Sequence, residues 1–175
     1  MAVLPIVEIP DARLRAVSKP VAEVDDAVRS FVSDMVDTMY AAKGIGLAAI
    51  QVGVDSRVVV IDLQDREDEE GKPIRDPRAY INPEILSVSD ELSTYNEGCL
   101  SIPEQYADVE RPARCRVRWL DQQGAAHEEE LSGLLSTCMQ HEIDHLDGVL
   151  FIDHVSRLKR SMLLKKLEKA RKLDG

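Results

Sequence analysis

The chain has 175 residues, 44% of them hydrophobic and 31% charged, which suits one domain with a proper core and makes two a stretch. No apolar run approaches the roughly 20 residues that span a bilayer, and a net charge of −10 argues against direct DNA binding, because a polyanion needs a positive field. Cys99, Cys115 and Cys138 are too few and too scattered for a disulfide framework, and Met1 to Pro10 lacks a basic leader and is broken by two prolines, so reduced thiols and the cytoplasm are expected.

Asp25 and Asp26 precede an apolar series at Val28, Phe31, Val32, Met35, Val36, Met39 and Tyr40, the three-and-four spacing of an amphipathic helix that should end near Gly44. The next residues, Gly44 to Gln51, formally contain G-x-G-x-x-A, with Asp62 18 residues beyond the first glycine. A dinucleotide fingerprint needs a strand before the glycines and a helix after them, and here that order is reversed. A tight turn of small residues fits better, although it leaves the amide of Gln51 unexplained among apolar neighbours. An amide donor near a metal can hold an oxyanion. Arg57 to Leu63, Tyr80 to Leu86 and Cys115 to Leu120 read as strands, Leu92 to Tyr95 as a short extended stretch, and the polar Gln64 to Ala79 as a solvated loop. A second helix should run from about Gly133 to Asp147, with Gly148 as its stop, and a third from about Ser156 to Leu173. Strands in the middle and helices towards the ends predict an α+β fold, with antiparallel sheets packed around the second helix. The last twenty residues carry eight Lys or Arg against Glu168 and Asp174, a balance of +6 that leaves −16 on the rest. A basic helix on an acidic body suggests one anionic docking surface.

The second helix contains His141-Glu142-Ile143-Asp144-His145, which matches H-E-x-x-H. Residues four apart on a helix share a face and can grip one metal ion, while Glu142 stands beside it as a general base towards water. The plainer alternative is a polar helix face with His145 placed favourably against the helix dipole. Leu134, Leu135, Cys138 and Leu146, able to pack that helix into a core, favour the metal site. The third ligand decides the class. An extended zinc-protease motif is met at Gly148 but has Phe151 where a histidine is required, and neither Asp153 nor His154 is well spaced to replace it. Cys99, in Glu97-Gly98-Cys99-Leu100-Ser101, would complete a Cys plus two His set with an open position, although a lone cysteine is more often a small packing residue.

Three separated segments, GIGLAAIQ at 44–51, EGCLS at 97–101 and QHEIDH at 140–145, together resemble the three motifs of the peptide deformylase family, and the likeness extends over nearly the whole chain. The tail is similar to that of the bacterial and organellar class with a C-terminal helix. The resemblance implies one catalytic domain over 1–175, with 156–175 as a basic helix. It implies an enzyme that removes the formyl group from formyl-methionyl nascent peptides, giving formate and a free methionine amine. Cys99, His141 and His145 are then the metal ligands, Glu142 the acid-base, and Gln51 with the Leu100 backbone N–H the oxyanion donors. It also implies a methionine pocket lined by Ile45, Glu97, Leu134, Cys138 and the apolar part of His141, with backbone at Gly46 and Gly98 aligning the peptide as an added strand. Tyr106 departs from members that carry arginine at the pocket rim, which bears on preference beyond methionine. The family implies Fe(II) in the cell, while a thiolate with two imidazoles also accepts Zn, Ni or Co in purified protein. A cytoplasmic monomer is expected, with ribosome docking through the basic helix. The alternatives are a small zinc endopeptidase using the same helix and a scaffold protein with a structural metal.

Overall fold

The computed structural model describes residues 2–174; Met1 and Gly175, the ends of the expected domain, lie outside the described residues. The first long helix, α1 (Asp26–Ala41), starts where Asp25 accepts a hydrogen bond from the Val28 backbone N–H at 3.0 Å, and it buries Val32, Met35, Thr38 and Met39. Its end comes three residues before Gly44, with Lys43 in the left-handed region (φ 60°) and the Gly44 N–H returning to the Met39 carbonyl at 2.9 Å.

Seven strands follow: β1 (Gly46–Ala48), β2 (Val58–Ile61), β3 (Arg78–Val88), β4 (Leu92–Cys99), β5 (Ile102–Pro112), β6 (Cys115–Leu120) and β7 (Ala126–Leu131). They form a five-stranded sheet in the order β1-β2-β3-β6-β7 and a separate hairpin of β4 and β5, with every pairing antiparallel. The second long helix, α2 (Gly133–Leu146), carries the histidine pair, and α3 (Arg157–Asp174) closes the described chain. The α+β fold expected from the sequence is the one observed.

The apolar pattern explains this layering. In β2 all four residues are buried, because Val58 and Val60 face α1 through Met35 and Met39, with Leu47 of β1 in the same cluster, while Val59 and Ile61 face α2 through Met139, Ile143 and Leu146. The five-stranded sheet is therefore covered by a helix on each face. The β4–β5 hairpin packs elsewhere: Ala107 and Val109 join Val7, Ile9 and Leu14 of the N-terminal segment, Phe151 from a 3-10 turn (Phe151–His154), and Leu163 and Leu167 of α3. Among the described residues no helix is long and apolar enough to cross a membrane.

Four sequence expectations need correction. Gly46–Ala48, read as part of a tight turn, is the edge strand β1, fixed in register by Gly46 against Ile61. β5 and β7 were not foreseen, and the extended stretch at Leu92 runs on to Cys99. Leu134, expected to help pack α2 into the core, is 39% exposed, since it stands at a cavity mouth. Of the segment Gln64 to Ala79 expected to be a solvated loop, Arg78 and Ala79 instead open β3, while the part before them is a loop that folds back through a bridge between Glu67 and Pro73.

Candidate metal centre

Three elements converge beneath a cleft of about 570 Å³. α2 supplies His141 and His145, one turn apart, with ring centroids separated by 5.0 Å. The end of β4 supplies Cys99, whose Sγ lies 3.3 Å from His145 Nε2. One ligand atom from each of Cys99, His141 and His145 can be chosen so that all lie within 4.8 Å of one another. A third element, the 3-10 turn Ala49–Val52, supplies Gln51. Its Oε1 accepts from the Ala48 N–H at 3.0 Å, and its Nε2 donates towards Cys99 Sγ at 3.4 Å and Ser101 Oγ at 3.1 Å. The amide left unexplained by the sequence is thus oriented by the Ala48 backbone and aimed at the sulfur.

The first histidine is held from behind. His141 Nδ1 meets Glu97 Oε1 at 2.9 Å, which leaves Nε2 free for a ligand. Glu97, almost fully buried, also receives Arg111 Nε at 2.7 Å and Nη2 at 3.0 Å, and Arg111 Nη1 continues to Asp144 at 2.8 Å. His154 contacts the same Asp144 oxygen at 2.8 Å. Burial works against the Glu97 anion, but the hydrogen bonds from His141 and Arg111 outweigh it and hold the carboxyl below its usual range. Burial also opposes a charged His141, yet its contacts with Cys99 and Glu97 raise it to about 10. In His145 burial, and then the positive charge of His141 and Arg111, drive the ring towards its neutral form, which is the metal-binding one.

Glu142 is the carboxylate that α2 places directly after the first histidine. Burial pushes it up to about 7, and its Oε1 is a buried oxygen without a protein partner. Its other oxygen lies so close to Gly46 that a Cβ there would displace it and crowd Cys138 Sγ, so glycine leaves the Glu142 carboxylate room beside β1. A sulfur and two imidazoles close together, one imidazole fixed by a carboxylate, with a proton-accepting carboxylate alongside, form a donor set that fits a divalent transition metal with room for a reactant.

The cleft wall contains Ile45, Gly46, Gln51, Glu97, Gly98, Cys99, Leu100, Leu134, Cys138, His141 and Glu142, and His145 sits beside Cys99. The residues expected to serve as metal ligands, catalytic groups and methionine pocket therefore gather at one place. The rejected third-ligand candidates are occupied elsewhere: Phe151 is buried with its ring 6.2 Å from His141, Asp153 pairs with Arg15 at 2.5 Å, and His154 bonds to Asp144. Asp62 accepts from the Tyr40 hydroxyl and from the Gln64 and Asp76 backbone, a structural role. Sequence reasoning missed Arg111 and Asp144 behind the histidines, the bond of His154 to Asp144, and Tyr95 and Thr137 on the cleft wall.

A sequence model of the polypeptide deformylase family matches residues 3–161. A peptide deformylase from Rhizorhabdus wittichii is 67% identical over 172 residues, covering 98% of this chain and 97% of that protein. The crystal structure of a peptide deformylase from Legionella pneumophila superimposes with a TM-score of 0.89 at 42% identity, covering 99% of this chain and 98% of the other. Another, from Ehrlichia chaffeensis and in complex with actinonin, gives 0.88 at 42% identity over 97% and 98%. The chain belongs to the polypeptide deformylase family, metal-dependent hydrolases that remove the N-formyl group from nascent peptides.

Proposed function

We propose that Cys99, His141 and His145 hold a single divalent ion, Fe(II) in the cell, in one catalytic domain, and that the same donors accept Zn, Ni or Co in purified protein. A metal of this kind, when bound, polarises a carbonyl and lowers the pKa of water by several units. The side chains do the rest. Glu142, poised near neutrality by burial, takes a proton from the attacking water and delivers it to the amine nitrogen as the formyl C–N bond breaks. Gln51 Nε2 and the Leu100 backbone N–H donate to the charge that develops on the formyl oxygen. Ile45, Glu97, Leu134 and Cys138 receive the methionine side chain, and Gly46 and Gly98 line the peptide up between two strand edges. Formate and a free methionine amine leave.

The observation that carries this reading is the unpartnered Glu142 oxygen beside the one Cys/His/His cluster among the described residues. Its test is formate release from formyl-Met peptides by anaerobically purified protein, with the metal assayed in parallel. Chelation abolishes turnover, and Glu142→Ala yields metal-loaded protein with activity lower by at least roughly 10²-fold. Full turnover in that variant overturns the assignment.

The basic face of α3 supports docking to a ribosome. Leu163 and Leu167 anchor the helix, while Lys165, Lys166, Lys169 and Lys172 are exposed. Charge reversal at those four lysines, which spares the buried leucines, should abolish salt-sensitive ribosome binding. Unchanged binding ends that part of the proposal.

A further inference from the structure

Three exposed large apolar side chains, Ile45, Tyr106 and Leu134, line the mouth of the same cleft, and Tyr106 is the most exposed of them at 59%. Its position follows from strand alternation. On the β4–β5 hairpin Glu97 pairs with Ala107 and Tyr95 with Val109, and this face is turned inward: Glu97 reaches His141, and Ala107 and Val109 pack in the core. Asn96 with Asp108 and Gly98 with Tyr106 therefore occupy the outward face, where Asn96 and Asp108 bond to each other at 3.1 Å. Gly98 has no side chain to fill its place on that face. The Tyr106 ring takes it, lying so close over Gly98 that a Cβ there would overlap the ring. An aromatic surface from β5 thus leans across β4 towards the open strand edge that borders the cleft.

A formyl-peptide extended along that edge, with its methionine side chain turned inward to Cys138 and His141, must turn its second side chain to the opposite face. That is the face Tyr106 covers. Resting on the functional reading above, we infer that Tyr106 is a specificity-determining residue, whose ring contacts the residue after methionine and favours a large apolar or aromatic side chain there. Glycine at 98 is what lets one ring span the width of a strand.

The test is kcat/KM, by formate release, for formyl-Met-Xaa peptides of equal length with Phe, Leu or Ala at Xaa, using metal-loaded wild type, Tyr106→Ala and Tyr106→Phe. Wild type prefers Phe over Ala by about five-fold, the size of one aromatic contact. Tyr106→Ala reduces this ratio to below about two-fold, and Tyr106→Phe keeps it, because the ring rather than the hydroxyl makes the contact. A ratio unchanged in Tyr106→Ala, lost in Tyr106→Phe, or near one in wild type overturns the inference while leaving deformylation intact. No formate from any peptide with wild type overturns the functional reading itself.

Discussion

The five-stranded sheet and the β4–β5 hairpin each turn a buried face towards the interior, but different forces hold those faces. The sheet is sealed by apolar side chains on two faces, with Val58 and Val60 against α1 and Val59 and Ile61 against α2. At the hairpin, the side next to the metal centre is held by an ionic cluster, in which Arg111 at 4% exposure grips Glu97 and Asp144. Apolar packing is non-directional and tolerates small shifts, whereas a buried bidentate pair fixes orientation as well as position. Glu97, fixed in this way, can fix His141. The contrast suggests that the sheet supplies stability and the hairpin supplies geometry.

The strongest way to sharpen the contrast is Arg111→Met. It removes the cation and leaves the Glu97 carboxylate buried with His141 as its remaining partner, a change that costs about 3–5 kcal/mol of folding stability. Loosening Glu97 should also weaken metal affinity by roughly ten- to a hundred-fold, read by competition with a chelator. The matching change in the sheet core is Met35→Ala, in a fully buried side chain of α1. It should cost about 2–5 kcal/mol in denaturant unfolding through the cavity it leaves, with metal affinity unchanged in the folded protein. If Met35→Ala weakens metal binding as much as Arg111→Met does, the division of labour is wrong.

The same division decides what could be read from the sequence. α1, α2 and β2 announce themselves, because their apolar residues recur at helical spacing or run continuously. β7 is invisible to that test: of Ala126–Leu131 only Leu131 is buried, and the strand is held by its backbone ladder to β6. In β5 the alternating pattern exists, but its inward residues Ala107, Val109 and Arg111 include a charge, and a buried arginine looks like a solvated one until its partners are known. The motif residues of the candidate site were legible because H-E-x-x-H is local and its spacing has a geometric meaning. The network behind it was not, since Arg111 meets acids 14 residues before it and 33 after it, contacts that only the folded chain creates.

Acid and alkali should take the two regions apart separately. The Glu97 carboxyl is held below its ordinary value near 4.5, so its contribution is full above that pH and is lost as pH falls through the folded value. Tyr80, in the sheet core, is pushed up to about 12 by burial from an ordinary 10.0. Its contribution is full below pH 10 and disappears as pH rises through about 12, a loss of about 2–3 kcal/mol. Hydrogen exchange should show the hairpin losing protection first on acidification. Near-ultraviolet signals from Trp119, whose ring lies 5.0 Å from that of Tyr80, should change first on the alkaline side. Simultaneous loss at both extremes would mean that the two regions open as one unit.

The smallest expected effect isolates burial from charge. Arg116 and Glu128 pair across β6 and β7 at 2.6 Å, as short as the 2.7 Å between Arg111 and Glu97, yet both side chains are almost half exposed. Water already solvates these groups in the unfolded chain, and ordering two long side chains offsets most of the attraction. A double-mutant cycle with Arg116→Ala and Glu128→Ala should therefore give a coupling of about 0.2–1 kcal/mol. It should vanish in molar salt, where the screening length is about 3 Å. The Arg111–Glu97 pair, removed from solvent, should keep its coupling under the same conditions. If the exposed pair instead couples as strongly as the buried one and resists salt, the short distance rather than burial sets the strength of both, and the hairpin loses its claim to a distinct mechanism.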